Sequence, residues 1–304
     1  MGIARRGVLG LGILGLVGCA PAAPVRPSTP AATPAATAPT PSRAANGIPS
    51  PIGPPSSPPP SPASPALPAV SRDDIAARYE GRTPRQWGLE VVGVVQRGDS
   101  PSAVLTFDAC GGPRGSGYDA ALVEVLRSHQ VPATLFLNAR WIDANPGVAA
   151  ELAADPLFEL ANHGAAHRPL SVTAAEAYGI AGTRSAGEVY DEVMGGCDRL
   201  GELTGSAPLW FRSGTAHVDD VAVEIVAELG QRVVNFDVNA DAGATFSPAQ
   251  VSRAMGGAAA GSICIGHFNR LGCGTAAGMA DALPRLLDGG LRFAQLRDAV
   301  PALA

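Results

Sequence analysis

Lysine is absent from this chain: all 22 basic residues are arginines, and they form no cluster. With a net charge of -5, that composition argues against nucleic acid as a partner, since phosphates call for a basic face. Long apolar runs are also missing. The one near the start, Val8 to Val17, is too short to span a bilayer as a helix. Cysteine is sparse, with Cys19, Cys110, Cys197, Cys264 and Cys273 the only five, so this is no small disulfide-dense scaffold. The four internal thiols imply no pairing by themselves. No glycine-rich dinucleotide fingerprint follows the first strand pattern, which disfavours a nucleotide-binding open sheet.

What is present begins with Met1-Gly2-Ile3-Ala4-Arg5-Arg6, a basic start to a short apolar segment. The segment ends Leu16-Val17-Gly18-Cys19, which resembles the lipobox of bacterial lipoproteins. That resemblance implies a signal peptide over residues 1–18 and a lipidated Cys19, exported to the cell envelope and held to the membrane through the lipid alone. Arg5-Arg6 also fits the twin-arginine export route. From Ala20 to Val70 the chain carries 17 of its 28 prolines and only two charged residues, Arg26 and Arg43. Such a segment cannot bury enough apolar surface to offset chain entropy, so residues 19–70 read as a disordered tether. Residues 71–304 are left as a single α/β domain with a core at about 103–296.

In that domain strand and helix patterns alternate. Strands are expected at Val104–Asp108, Ala133–Asn138, Phe158–His163, Leu209–Arg212, Arg232–Val238, Ser262–His267 and Arg292–Leu296. Helical patterns cover Asp119–His129, Pro146–Ala154, Ala186–Thr204, Asp219–Leu229, Pro248–Ala259 and Met279–Leu287. Seven strand–helix units predict a parallel sheet, one unit short of a closed eightfold barrel, hence a distorted (β/α)7 barrel.

At the carboxyl ends of these strands stand Asp108, Asn138, His163, Arg212, Asp237 with Asp241, and His267. In α/β barrels that rim supplies the active site. His163 and His167 are four apart, which on a helical turn presents two imidazoles on one face for a shared metal. An opposing aspartate, Asp108, would complete a three-ligand open site. Arg212 needs a buried carboxylate, with Asp108 and Asp241 available. Cys110 and Cys273 fall in rim loops and could pair, or Cys110 could reach the metal. His129 and His217 carry no assigned role.

The order Thr106-Phe107-Asp108, His163-xxx-His167, Phe211-Arg212, Asp241 and Ile265-Gly266-His267 resembles the polysaccharide deacetylases, the NodB-homology domains of carbohydrate esterase family four. The resemblance runs from about Ala103 to Leu296. It implies a distorted barrel that binds one divalent ion, zinc foremost, and hydrolyses N-acetyl groups on glycans. By position, Asp108 matches the general base, His163 and His167 the metal ligands, and Arg212 the residue orienting the base. Asp241 matches the acid holding that arginine, and His267 the general acid. The family's second aspartate is Ala109 here, its tryptophan after Asp241 is missing, and Gly214 and Gly266 thin the expected pocket. The leading expectation is therefore a metal-dependent carbohydrate deacetylase. A glycan-binding lipoprotein without catalysis, and an amidase acting on a small molecule, are the alternatives.

Overall fold

The computed structural model describes residues 70–301. The expected leader, Cys19 and the tether as far as residue 69 lie outside the described residues. Helix α1 (Arg72–Arg78) comes first, started by a capping box between Ser71 and Asp74. β1 (Trp87–Gly88), β2 (Ala103–Ala109), α2 (Ala120–Ser128), β3 (Ala133–Leu137), α3 (Ala139–Ala144), α4 (Pro146–Ala154) and β4 (Phe158–Asn162) follow. A hairpin of β5 (Glu176–Ala177) and β6 (Ile180–Ala181) precedes α5 (Ala186–Thr204). Ser185 caps the start of α5, and left-handed Gly205 ends it. The rest runs β7 (Trp210–Phe211), β8 (Val218–Asp219), α6 (Asp220–Glu228), β9 (Arg232–Val233), β10 (Val238–Asn239) and α7 (Pro248–Met255). It closes with β11 (Ile263–His267), α8 (Thr275–Asp288), β12 (Phe293–Ala294) and α9 (Leu296–Ala299).

Eight strands form one sheet in the order β10-β11-β2-β3-β4-β7-β9, with β12 beside the start of β2. Every ladder in it is parallel, as strand–helix–strand crossovers require. The expected distorted, incomplete barrel is what forms. The strand expected over Arg232–Val238 is instead two pieces, because its ends serve opposite edges: β9 pairs with β7 and β10 with β11. Residues 95–97 span the opening between them, through bridges of Val95 to Val234 and Arg97 to Ser262.

All seven residues of β2 are buried. With a side-chain period of two, Leu105, Phe107 and Ala109 enter the outer core with Leu122 and Leu126 of α2 and Leu283 of α8. Val104 enters the inner core with Phe136, Trp210 and Ile263. Thr106 and Asp108 share the face of Val104 and so sit inside the barrel, both at 3% exposure or less. Placing a carboxylate there costs several kcal/mol unless a cation meets it, on the order estimated for buried ions.

Candidate active site

The cation is Arg212, fully buried just past the end of β7. Its Nη1 donates to Asp108 Oδ1 at 2.7 Å and to Thr106 Oγ1 at 3.0 Å. Nε and Nη2 donate to the carbonyls of Val234 and Asn235, and the guanidinium lies 4.1 Å from the centre of the Phe136 ring. Burial pushes the Asp108 carboxyl up, but Arg212, with His163 and His267, holds it below its usual value. Asp108 is thus an ionised, oriented carboxylate.

His163 and His167 come together as expected, their rings edge to face at 4.9 Å. The route differs from expectation. Residues 163–167 are a loop, not a helical turn, with left-handed backbone at Gly164 (φ 76°) and His167 (φ 60°). Buried Glu192 of α5 holds that loop, accepting from the backbone N–H of Ala166 and Arg168. Asn162 Oδ1 accepts from Gly164 N–H, and Asn138 Nδ2 donates to the carbonyls of His163 and Gly164. Gly214 must be glycine, because a Cβ there would stand 2.2 Å from the His167 carbonyl carbon. Gly266 is also explained by packing: its Cβ would meet the Phe107 ring at 2.9 Å. At both positions the missing Cβ makes room for neighbouring protein atoms, and Gly214 also lines the cavity.

The His163 Nδ1–H donates to the Arg212 carbonyl at 2.9 Å, since a carbonyl can only accept. Its Nε2 faces the site, 3.6 Å from Asp108 Oδ2 and 3.9 Å from Cys110 Sγ, and against the lowering effect of burial these two neighbours raise the His163 pKa. His167 Nε2 is buried without a hydrogen-bond partner. Cys110, His163 and His167 each bring one donor atom within 4.8 Å of the others, and this set contains Cys110 where Asp108 was expected as third ligand. Arg212 engages Asp108 Oδ1, while Oδ2 stays beside His163 Nε2. Burial would raise the Cys110 thiol, yet three imidazoles, His163, His167 and His267, keep it well below its usual value. Cys110 and Cys273 are both free, and Cys273 Sγ–H donates to Thr275 Oγ1 instead of forming a bridge.

Asp241 does not hold Arg212. Fully buried, it accepts from His267 Nδ1 at 2.9 Å, from the His267 backbone N–H at 2.7 Å, and from Thr275 Oγ1 at 2.9 Å. Burial would lower the His267 pKa, but Asp241 and then Cys110 raise it well above its usual value. Asp241 thus holds His267 through Nδ1 and favours its protonated form, and the ring borders the cavity. His267 is also the register partner of Asp108 on the neighbouring strand. Asp237, expected at this rim, is at the opposite end of β11, bound to Arg97, Ser262 Oγ and the Ile263 N–H. A cavity of about 470 Å³ opens over the site, lined by Asp108, His167 and His267 and walled by Tyr178, Thr215 and Asn239.

Asn138 stands on the expected rim, whereas the supporting residues Glu192, Asn162 and Thr275 were not among the expected site residues.

A family model described as polysaccharide deacetylase matches residues 96–234. "Uncharacterized protein YlxY" of Bacillus subtilis (strain 168) is 24% identical over 125 residues, which is 41% of this chain and 35% of that protein. The chain thus matches about a third of the length of that curated relative. Among solved structures, the Bc1960 peptidoglycan N-acetylglucosamine deacetylase is similar, at TM-score 0.59 and 20% identity over 69% of this chain and 94% of that one. BA3943 of Bacillus anthracis, described as a family-four carbohydrate esterase pseudoenzyme, gives TM-score 0.57 at 19% identity, covering 70% of each chain. The family-four carbohydrate esterase PdaA of Bacillus subtilis gives 0.55 at 20%, over 68% of this chain and 84% of that one. The parallel half-barrel is the fold these structures share, and within it residues 96–234 match the polysaccharide deacetylase family model.

Proposed function

We propose that this chain is a metal-dependent hydrolase that removes N-acetyl groups from a carbohydrate of the cell envelope. The observation that carries the reading is a pair of buried couples on one rim, Asp108 with Arg212 and His267 with Asp241, beside the Cys110, His163 and His167 donors. Those donors fit a divalent ion. His163 has a fixed tautomer, His167 has an orphaned buried nitrogen, and a sulfur completes a three-donor set of the kind zinc accepts. Bound there, such an ion would act as a Lewis acid toward the acetyl carbonyl and acidify a water toward a pKa of about 7.

The protein's own groups divide the proton work. Asp108 takes a proton from the attacking water, because Arg212 keeps it ionised and aimed. His267 gives a proton to the departing amine, because Asp241 keeps it charged and occupies its Nδ1. Arg212 and Asp241 are positioning residues in this scheme. Purified zinc-loaded protein is expected to release acetate from N-acetylglucosamine oligomers. Asp108→Asn and His267→Ala should each lower kcat by about 10²–10⁴ while metal stays bound. Undiminished release by both variants would falsify the assignment.

A glycan-binding role without catalysis is favoured by one observation, Ala109 in the place of a carboxylate ligand. Oligomer binding with no acetate release by the metal-loaded protein would establish it. For location we propose lipidation of Cys19 after removal of residues 1–18, with residues 19–70 as the tether to the domain.

A further inference from the structure

Asp241 accepts four hydrogen bonds, two of them from side chains, and one of those side chains has no place in the proton transfers. Its Oδ1 accepts from His267 Nδ1 at 2.9 Å and from the Gly243 N–H at 3.1 Å. Its Oδ2 accepts from the His267 N–H at 2.7 Å and from Thr275 Oγ1 at 2.9 Å. The Gly243 N–H is delivered by a run of positive φ, 48° at Ala242, 72° at Gly243 and 61° at Ala244, which alanine adopts only at a cost. The turn is held by the N–H groups of Thr245 and Phe246, which both donate to the Asp241 carbonyl. Thr275, the first residue of α8, is fully buried. A carboxylate only accepts, so the Thr275 hydroxyl hydrogen points at Oδ2, and the Cys273 Sγ–H donates to the same hydroxyl oxygen at 3.3 Å. Branching at Cβ restricts the threonine χ1, so the hydroxyl is fixed with the helix.

We propose that Thr275 is a positioning residue for the general acid: its hydroxyl pins Asp241 Oδ2, which keeps Oδ1 in line with His267 Nδ1 and the imidazole turned to the cavity. The proposal rests on the deacetylase reading and extends its acid side from two residues to three. The χ2 torsion of an aspartate is broad, so hydrogen bonds rather than a rotamer set the plane of the carboxylate. Two of the four donors belong to His267, the residue that the carboxylate has to orient, and Gly243 belongs to the turn that Asp241 itself begins. Thr275 alone ties the carboxylate to a separate element, α8, and so gives the acid a reference outside its own strand. Small misplacements of a proton donor are costly in rate, because transfer depends on alignment with the leaving atom.

Thr275→Val removes the hydroxyl at nearly the same volume, and Thr275→Ser keeps it. With zinc-loaded protein and N-acetylglucosamine oligomers, Thr275→Val should lower kcat about tenfold with KM unchanged, whereas Thr275→Ser should stay within about twofold of wild type. Amide cleavage needs a proton on the departing amine, but 4-nitrophenyl acetate releases a phenolate that is stable without one. The ratio of amide to ester turnover should therefore fall about tenfold in Thr275→Val, and an equal loss on both substrates overturns the proposal. Proton NMR supplies a readout without turnover. The His267 Nδ1–H resonance, assigned by its loss in His267→Ala, should shift and broaden in Thr275→Val and stay in place in Thr275→Ser. An unmoved resonance in Thr275→Val also overturns the proposal. Should valine prevent folding, Thr275→Ala carries the same expectations. Wild-type protein that releases no acetate would sink the deacetylase reading, while the resonance still decides whether Thr275 holds the Asp241–His267 pair.

Discussion

Cys110 bears on which ion the proposed site would take. Ala109 supplies no donor, and Arg212 engages Asp108 Oδ1, so in the proposed site the sulfur would be the third atom beside the two imidazoles. Thiolate favours zinc and cobalt over magnesium or manganese. Cobalt-loaded protein should therefore show sulfur-to-cobalt charge-transfer absorption, lost in Cys110→Ser and kept in Asp108→Asn. The reverse pattern would return Asp108 to the ligand set. Asp241 sets a second residue-level expectation. Because Asp241 raises the His267 pKa well above the ordinary histidine value, the alkaline limb of activity should lie above neutrality, while the acid limb follows the lowered Asp108. Asp241→Asn should move the alkaline limb to lower pH, and an unmoved alkaline limb would count against His267 as the acid. The same couple contributes stability that is complete below the unfolded histidine pKa of about 6.5 and is lost as pH rises through the raised folded value.

At the scale of elements, the loop 163–167 shows how neighbours build a ligand pair. His167 reaches its place only because Glu192 of α5 holds the loop's N–H groups and Gly214 lets the two backbones touch. Gly214→Ala would force them apart, at a cost of about 1–3 kcal/mol typical of overpacking. The expected outcome is a lower Tm together with metal affinity weakened about tenfold or more, measured by chelator competition. A Tm change with metal affinity intact would show that Gly214 serves packing alone. The loop also marks where sequence reading stops. Buried strands ending in glycine or polar residues were legible, so Asp108, His163, Arg212 and His267 were found at their strand ends. The positive φ of His167 was not, because it is imposed by a helix 25 residues downstream. Asp241 was placed on the rim, but its partner depends on which strands adjoin, and β10 adjoins β11 rather than β7. Cys110 was visible as one of two uses of a rim thiol, and choosing between them required knowing where Arg212 points the Asp108 carboxylate. The hairpin at Tyr178 stayed hidden because its turn lacks Asn or Gly at the first position.

For the whole molecule, the described residues hold no helix long and apolar enough to cross a membrane. The membrane attachment proposed for this chain is through a lipid on Cys19. Cys19→Ala should shift the protein from the detergent phase to the aqueous phase while acetate release by the domain is unchanged. Detergent partitioning that survives the substitution would rule out the lipid anchor. Beyond anchoring, one feature of the sheet bears on how such a molecule changes over generations. Asp108 and His267 are register partners on adjacent parallel strands, so their spacing follows the strand separation of about 4.8 Å. The proposed proton acceptor and proton donor would thus be inherited with the backbone ladder. The rim loops and the Tyr178 hairpin can then drift by insertion or substitution toward a different glycan without the lineage having to reinvent its acid and base.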